Sequence, residues 1–480
     1  MTTETTQTTP QLVRALKLRD LVLFNLVAVL GLRHLGTTAK FGPGSLLMWL
    51  IAAVFFFIPQ GLAVAELSSR FPKEGGIYFW TKRALGEGHG FLCGWCYWIN
   101  NVLYYPNLLI SAAVIATFIF GKSESGLSDS WAYVLPMTLG ALWIAVLINI
   151  VGVGTGKWLQ NAGSVGTYVP GLILILLGAY GAMTAPAATE LSLATLKPDL
   201  NNLPALNLLA SIAFAFAGLE LASTMGDEVE NPRRNLPRSI FIAAPLIAVI
   251  YILGTGAVLW RLPNKNINVV SGFLQAINTG SDNISPTLGW LAPLCAALYS
   301  IGNLGGVGAW LIGPARVAFV IGLDRYFPKA FGAVHPRWHT PYVAILVQAT
   351  LATIFLLLSV LGKGTNVEEV YLILLDTMIL IYFIPYLYLF IVFLIHRRRG
   401  DNASEVVLAP GGLIGGWLTA LSGMIVTLFA MIIATIPPPD TADSLLFRLK
   451  VIGGALGFIL MGGLIYWRRH LSNMAKSRVL

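Results

Sequence analysis

The sequence is short of charge. Asp, Glu, Lys and Arg make up 11% of its 480 residues, less than half of the roughly 25% usual in a soluble domain. Hydrophobic residues reach 56%, too much for any soluble core of this length to bury beneath a polar surface. A water-soluble enzyme or binding module is thereby set aside. So is a nucleic-acid partner, despite the net charge of +9, because the basic residues follow topology rather than one patch. Cysteine is scarce too. Cys93, Cys96 and Cys295 all fall in apolar segments, which argues against a disulfide framework. Cys93-Gly-Trp-Cys96 lacks the βαβ setting of a redox motif, so these thiols read as packing residues. No His/Cys/Asp cluster has metal-ligand spacing. Gly152-Val-Gly-Thr-Gly-Lys157 has the wrong glycine spacing for a phosphate loop, Trp158 where Ser or Thr is needed, and no preceding strand. No metal, cofactor or ATP-driven step is expected. The threonine-rich start, Met1 to Pro10, lacks the charged and apolar regions of a signal peptide. Residues 1–17 are expected to form a disordered cytoplasmic tail.

What the chain has is long apolar runs. A spanning helix needs about twenty mostly apolar residues, and twelve such segments are present, near 20–42, 45–68, 90–120, 132–152, 160–183, 207–227, 239–260, 288–314, 341–361, 369–395, 412–436 and 448–467. Phe41-Gly-Pro-Gly44 supplies turn chemistry between the first two. Lysine and arginine placement tests the count. With a cytoplasmic N-terminus, 22 of the 31 Lys and Arg fall on the cytoplasmic side and seven outside, while Arg33 and Lys40 lie in or beside the first span. That bias places both termini in the cytoplasm. Twelve helices fit a bacterial inner membrane or a eukaryotic one equally, and the short loops and tails favour a multi-pass protein of the cell (inner) membrane. The expected fold is an all-α integral membrane protein of about twelve transmembrane helices. Residues 18–183 hold helices 1–5, 206–396 helices 6–10 and 411–467 helices 11–12; 468–480 form a short basic cytoplasmic tail.

Two spans look broken. The first reads Leu30-Gly-Leu-Arg-His-Leu-Gly-Thr-Thr38, with glycines, hydroxyls and two ionisable groups where a span should be most apolar. The sixth reads Ala213-Phe-Ala-Phe-Ala-Gly-Leu-Glu220, with a carboxylate at similar depth. These are the first helices of two five-helix halves, and glycine-interrupted helices at corresponding positions point to a transporter's binding site. Helix breaks free backbone groups. N–H groups near Arg33 to Thr38, including Gly31 and Gly36 at the bends and the Thr37 and Thr38 hydroxyls, suit a carboxylate. Carbonyls near Phe216 to Gly218 suit an ammonium group. The pair of breaks therefore suits a zwitterion, although glycine also serves close helix packing.

Arg33 stands out. An arginine inside a span is costly unless paired or facing water, and is a functional candidate by default. It either grips a substrate carboxylate as a bidentate donor or pairs with an internal carboxylate. Pairing of Arg33 with Glu220 in the empty site is the expectation carried forward. Asn100, Asn101 and Tyr104 on the third span, Asn303 on the eighth and Asp376 on the tenth either line the cavity or join helices.

Several longer motifs add up to a resemblance. Gly61-Leu-Ala-Val-Ala-Glu66-Leu-Ser-Ser-Arg70-Phe-Pro-Lys-Glu-Gly-Gly76-Ile-Tyr-Phe-Trp80 resembles the second helix and following loop of the amino acid–polyamine–organocation transporter superfamily. So do Phe216-Ala-Gly-Leu-Glu220, the stretch Asp227-Glu-Val-Glu-Asn-Pro-Arg-Arg-Asn-Leu-Pro-Arg238, Gly313-Pro-Ala-Arg316, Asp324-Arg-Tyr-Phe-Pro328 and His335-Pro-Arg-Trp-His-Thr-Pro341. Leu32-Arg-His-Leu-Gly-Thr-Thr-Ala39 looks most like the glutamate/GABA antiporter branch. The resemblance implies two inverted five-helix repeats (LeuT-like) plus two extra helices, and alternating access around the breaks. It also implies an aromatic lid at Phe216 and a gating network at Glu66 and Arg70.

Two departures bear on energetics. Where proton-coupled relatives place a lysine in the fifth helix, a rough alignment puts Thr167 here, and the eighth span has no clear hydroxyl pair beyond Ser300. Exchange of one solute for another is the simplest remaining mode. An amino acid carrier is the leading reading. A polyamine or amine carrier of the same fold, or a non-carrier membrane protein such as a channel, are the alternatives.

Overall fold

Hydrocarbon offers no hydrogen bonds, so an apolar run crossing it must satisfy its own backbone, and a helix does so within one segment. The computed structural model obeys this rule and describes residues 14–121, 126–151, 153–199, 201–324, 326–360, 367–400, 406–438, 441 and 443–477. Its long helices follow the expected order: α1 in two pieces, Leu18–Val29 and Arg33–Ala39; α2, Gly44–Arg70; α3, Glu87–Ile119; α4, Trp131–Ile150; α5, Val153–Thr184. Next come α6, Leu203–Phe216, continued after a gap by the 3-10 segment Leu221–Glu228; α7, Pro232–Arg261; and α8, Leu291–Leu323. The last four are α9, Tyr342–Val360; α10, Val367–Arg399; α11, Gly412–Ile433; and α12, Ser444–Ser477. Among the described residues ten helices are long and apolar enough to span a membrane, or eleven with the bent α1 pair taken as one span. α9 is apolar but shorter over its described part.

Several boundaries differ from those expected. α8 runs on past residue 314, so Arg316, two residues beyond the expected end of that span, is buried inside it. α12 continues through Ser477, taking in most of the segment expected as a tail. At the start, residues 1–13 lie outside the described residues, but the chain is already ordered at Leu16, which is buried and bridges to Val229. Lys122, Gly152, Arg325, Lys363 and Arg478, and the Lys157 and Lys476 side chains, also lie outside the described residues.

Burial separates scaffold from periphery. The apolar windows of α6, α8 and α3 are 100%, 89% and 83% buried, whereas those of α12, α4 and α11 are 17%, 33% and 39% buried. Glycine allows α5 and α8 to cross closely: a Cβ on Gly163 of α5 would stand 2.7 Å from the Gly305 Cα of α8. Because the chain alternates direction, α1 and α6 enter from opposite ends of this core. The end of this core nearest Leu16 is its inner end.

Candidate substrate site at the two helix breaks

Both breaks fall where glycine and ionisable residues interrupt the apolar pattern. The α1 pieces meet at 41° across Leu30, Gly31 and Leu32. In α6 the helix stops at Phe216, and Gly218 takes φ +124°, a conformation that an L side chain strains to adopt. Gly218 packs against the α1 break, where an added Cβ would meet Val29 Cγ2 at 3.2 Å and Trp310 Cζ2 at 3.3 Å.

Each break is capped by tyrosines from other helices. The Tyr251 hydroxyl on α7 accepts from the Gly31 N–H at 2.8 Å and reaches the Val29 carbonyl at 2.7 Å, with the Ala215 carbonyl of α6 at 3.2 Å. The Arg33 N–H donates to the Tyr299 hydroxyl of α8 at 3.3 Å. On α6, the Gly218 N–H donates to the Tyr386 hydroxyl of α10 at 2.7 Å. The Gln60 amide faces the same gap. Oriented to satisfy both neighbours, it donates to the Phe216 carbonyl (3.1 Å) and accepts from the Leu219 N–H (3.2 Å). These contacts satisfy groups that would otherwise be orphaned in a buried setting.

Glu220 ends in a cage of hydroxyls. Tyr386 donates to its Oε2 at 2.5 Å, and Tyr97 donates to Oε1 at 3.1 Å, with Tyr382 also donating to Oε1. The expected Arg33–Glu220 pair is therefore absent. The physical reason is directional: Arg33 opens the outer piece of α1, whereas Glu220 follows the α6 break toward the inner end.

Arg33 instead lines a cavity of ≈ 20 Å³ with Gly31, Tyr104, Thr167, Tyr299 and Asn303. That volume holds about one water. Its guanidinium lies 5.7 Å from the Tyr104 ring centroid, and no carboxylate pairs with it among the described residues. Arg33 Nε and Asn303 Nδ2 have no hydrogen-bond partner there. Gly31, Arg33, Tyr104 and Asn303 are thus brought together as expected residues of one site.

The other candidates sit elsewhere. Gly36 is pressed against the Asn268 and Val269 carbonyls of the α7–α8 connection, where Thr37 also donates to Val269 at 3.1 Å. Thr38 bonds back to the His34 carbonyl and accepts from Trp49. Phe216 stacks on Phe57 at 4.3 Å and meets Trp49 edge-on at 5.0 Å, away from the cavity lining. Asn101 donates to the Tyr97 carbonyl, and Asp376 accepts from Asn207 at 2.8 Å. At the inner end, Glu66 binds Arg70 at 3.0 Å and Arg397 of α10 at 2.5 Å, and also accepts the Ala409 N–H at 2.9 Å. Tyr97, Tyr251, Tyr299, Tyr382 and Tyr386 are the residues missed. In sequence, a tyrosine within an apolar run reads as ordinary filling, and nothing marks which hydroxyls will meet a break.

The family profile described as amino acid permease matches residues 18–465. An uncharacterized transporter of Legionella pneumophila is 30% identical, the match covering 93% of this chain and 96% of that protein. A probable agmatine/putrescine antiporter of Lactococcus lactis is 26% identical over 90% of each chain. A glutamate/gamma-aminobutyrate antiporter of the same species is 25% identical over 82% of this chain and 78% of its own. Among solved structures, MhsT crystallised with L-phenylalanine matches with a TM-score of 0.62 at 17% identity, covering 86% of this chain and 97% of that one. At that identity the likeness speaks for the fold: the broken first and sixth helices belong to the LeuT-type architecture. With the permease profile spanning nearly the whole chain, this protein belongs to the amino acid permease family and is a secondary transporter.

Proposed function

We propose that this transporter exchanges amino acids across a cell membrane, with both termini in the cytoplasm, and that Arg33 receives the substrate carboxylate. One observation carries the reading. A buried guanidinium lines the central cavity with no carboxylate beside it, and such a charge is expensive until an anion arrives. A polyamine would add like charge to that site, which favours the amino acid reading over the amine one. The Tyr251 and Tyr299 hydroxyls that cap the α1 break are placed to reorient toward a bound carboxylate. Asn303 and Tyr104 complete the wall.

The ≈ 20 Å³ cavity is far below the roughly 300–1,000 Å³ of a ligand pocket, so the described conformation is a closed one. Outer closure is supported by the contact of Gly36 and Thr37 with the α7–α8 connection. Inner closure is supported by Glu66 clasped between Arg70 and Arg397. The two closures opening in turn give alternating access. The chain so read is a carrier with no catalytic step. Counterflow in proteoliposomes loaded with single amino acids, run without an ion gradient, tests this. Labelled uptake that requires an internal amino acid supports exchange. Uptake of agmatine or putrescine, with none of any amino acid, overturns the reading.

A further inference from the structure

The inner end holds a buried ion cluster that neither the cavity nor the Glu66 clasp uses. Arg316 Nε of α8 lies 2.5 Å from Glu228 Oε1 at the end of α6, and 3.6 Å from Glu74 Oε1 in the turn after α2. Two carboxylates share one cation. Arg316 and Glu228 side chains are 1% and 2% exposed, and Glu74 8%. Glu74 Oε1 and Arg316 Nη2 have no hydrogen-bond partner among the described residues, while Glu74 Oε2 only accepts from the Asp227 N–H at 3.4 Å. The groups facing Glu74 are Arg316 from α8 and Glu228 and Asp227 from the end of α6; adjacent Lys73 is exposed.

Charge arithmetic then sets the chemistry. Arg316 is matched by Glu228, leaving Glu74 as a buried negative charge without its own cation. Such a charge is costly, and one proton removes the cost. Burial, with Glu228 beside it, holds the Glu74 carboxyl well above the usual carboxylate range against the pull of Arg316.

The cluster also ties together segments that must part when the inner end opens. Ala15 and Leu16 N–H groups, just before α1, donate to the Glu228 carbonyl at 3.0 and 3.1 Å, and Glu230 N–H returns to the Leu16 carbonyl at 3.0 Å. Gly75 N–H, in the Glu74 turn, donates to the Thr224 carbonyl at 3.0 Å. Arg316 therefore fastens the start of α1, the end of α6 and the turn after α2 to α8.

We propose that Glu74 is a proton-binding site on this lock, loaded while the inner end is closed and emptied when it opens. The sign follows from linkage. The closed state binds the proton more tightly than a water-exposed open state, so acid on the inner side favours closure. That preference is lost as pH rises from the ordinary carboxylate range through the raised value of the closed state.

The test is thiol labelling from the inner side, which needs no substrate and so stands apart from the exchange reading. Ser223→Cys, buried beside Gly76 in the closed lock, is placed in a background with Cys93, Cys96 and Cys295 replaced. Labelling by an impermeant reagent in inside-out vesicles is compared with the same chain carrying Glu74→Gln, so that the titration of the thiol itself cancels. The ratio of parent to Glu74→Gln labelling is expected to be near one in acid. It should climb severalfold toward neutral pH, with about tenfold per pH unit the ceiling for one proton. Glu74→Asp should keep the climb. Glu74→Ala, which also lacks the titrating group, serves if the Gln variant does not accumulate. A ratio that stays flat across the pH range overturns the proposal.

Discussion

The Tyr251 hydroxyl lies 2.8 Å from the Gly31 nitrogen and 2.7 Å from the Val29 oxygen, bridging the break in α1 from a helix 220 residues away. The same oxygen is 3.2 Å from the Ala215 carbonyl just before the α6 gap. One side chain thus holds both interrupted helices in register, and the zwitterion site proposed at the breaks depends on it.

Removing that hydroxyl tests the dependence. Tyr251→Phe leaves a buried N–H and a carbonyl unpaired at about 1–3 kcal/mol. The ring keeps its stacking on Trp49 at 4.5 Å, so the chain is expected to fold with a modestly lower melting temperature. Half-saturation for exchange should rise about tenfold or more, since about 1.4 kcal/mol is one decade. Initial-rate exchange measurements check this.

Gly36 tests outer closure. A Cβ there would meet the Asn268 and Val269 carbonyls at 2.7 and 2.9 Å, contacts to backbone atoms that have no freedom to rotate away. Gly36→Ala should wedge the outer piece of α1 from the α7–α8 connection. Exchange is expected to fall strongly while labelling of an outer-facing cysteine near Thr37 increases.

Glu66 tests inner closure. Its carboxylate serves two arginines and a backbone N–H at once. Glu66→Gln leaves Arg70 and Arg397 without their shared anion, a loss of about 3–5 kcal/mol for a buried pair. A fall in melting temperature with increased inner-side accessibility is the expected result. Arg397→Gln should do less, since Arg70 and the Ala409 N–H still hold the carboxylate.

Much of this was legible in the sequence because apolar length and glycine interruptions are local signals. The α1 break at Leu30–Leu32, the α6 gap beside Gly218 and the i,i+4 spacing of Glu66 and Arg70 all follow from neighbouring residues. What was not legible depends on partners distant in sequence. Arg33 and Glu220 look complementary by sign and depth, yet they stand on opposite sides of their breaks, and hydroxyls of Tyr97, Tyr382 and Tyr386 take the place expected of the guanidinium. The burial of Arg316 was not legible because α8 runs on past Pro314, and the helical register carries it into the core against Glu228.

The central claim is that Arg33 binds a substrate carboxylate. It is tested most directly by competition against exchange of the transported amino acid, comparing that amino acid with its carboxamide analogue. The native protein is predicted to bind the amino acid at least tenfold more tightly than the analogue, as about 1.5–3 kcal/mol for a charged hydrogen bond implies. In Arg33→Ala the two should compete equally. If the preference for the carboxylate survives in Arg33→Ala undiminished, Arg33 is not the anchor and the site must be sought elsewhere along the breaks.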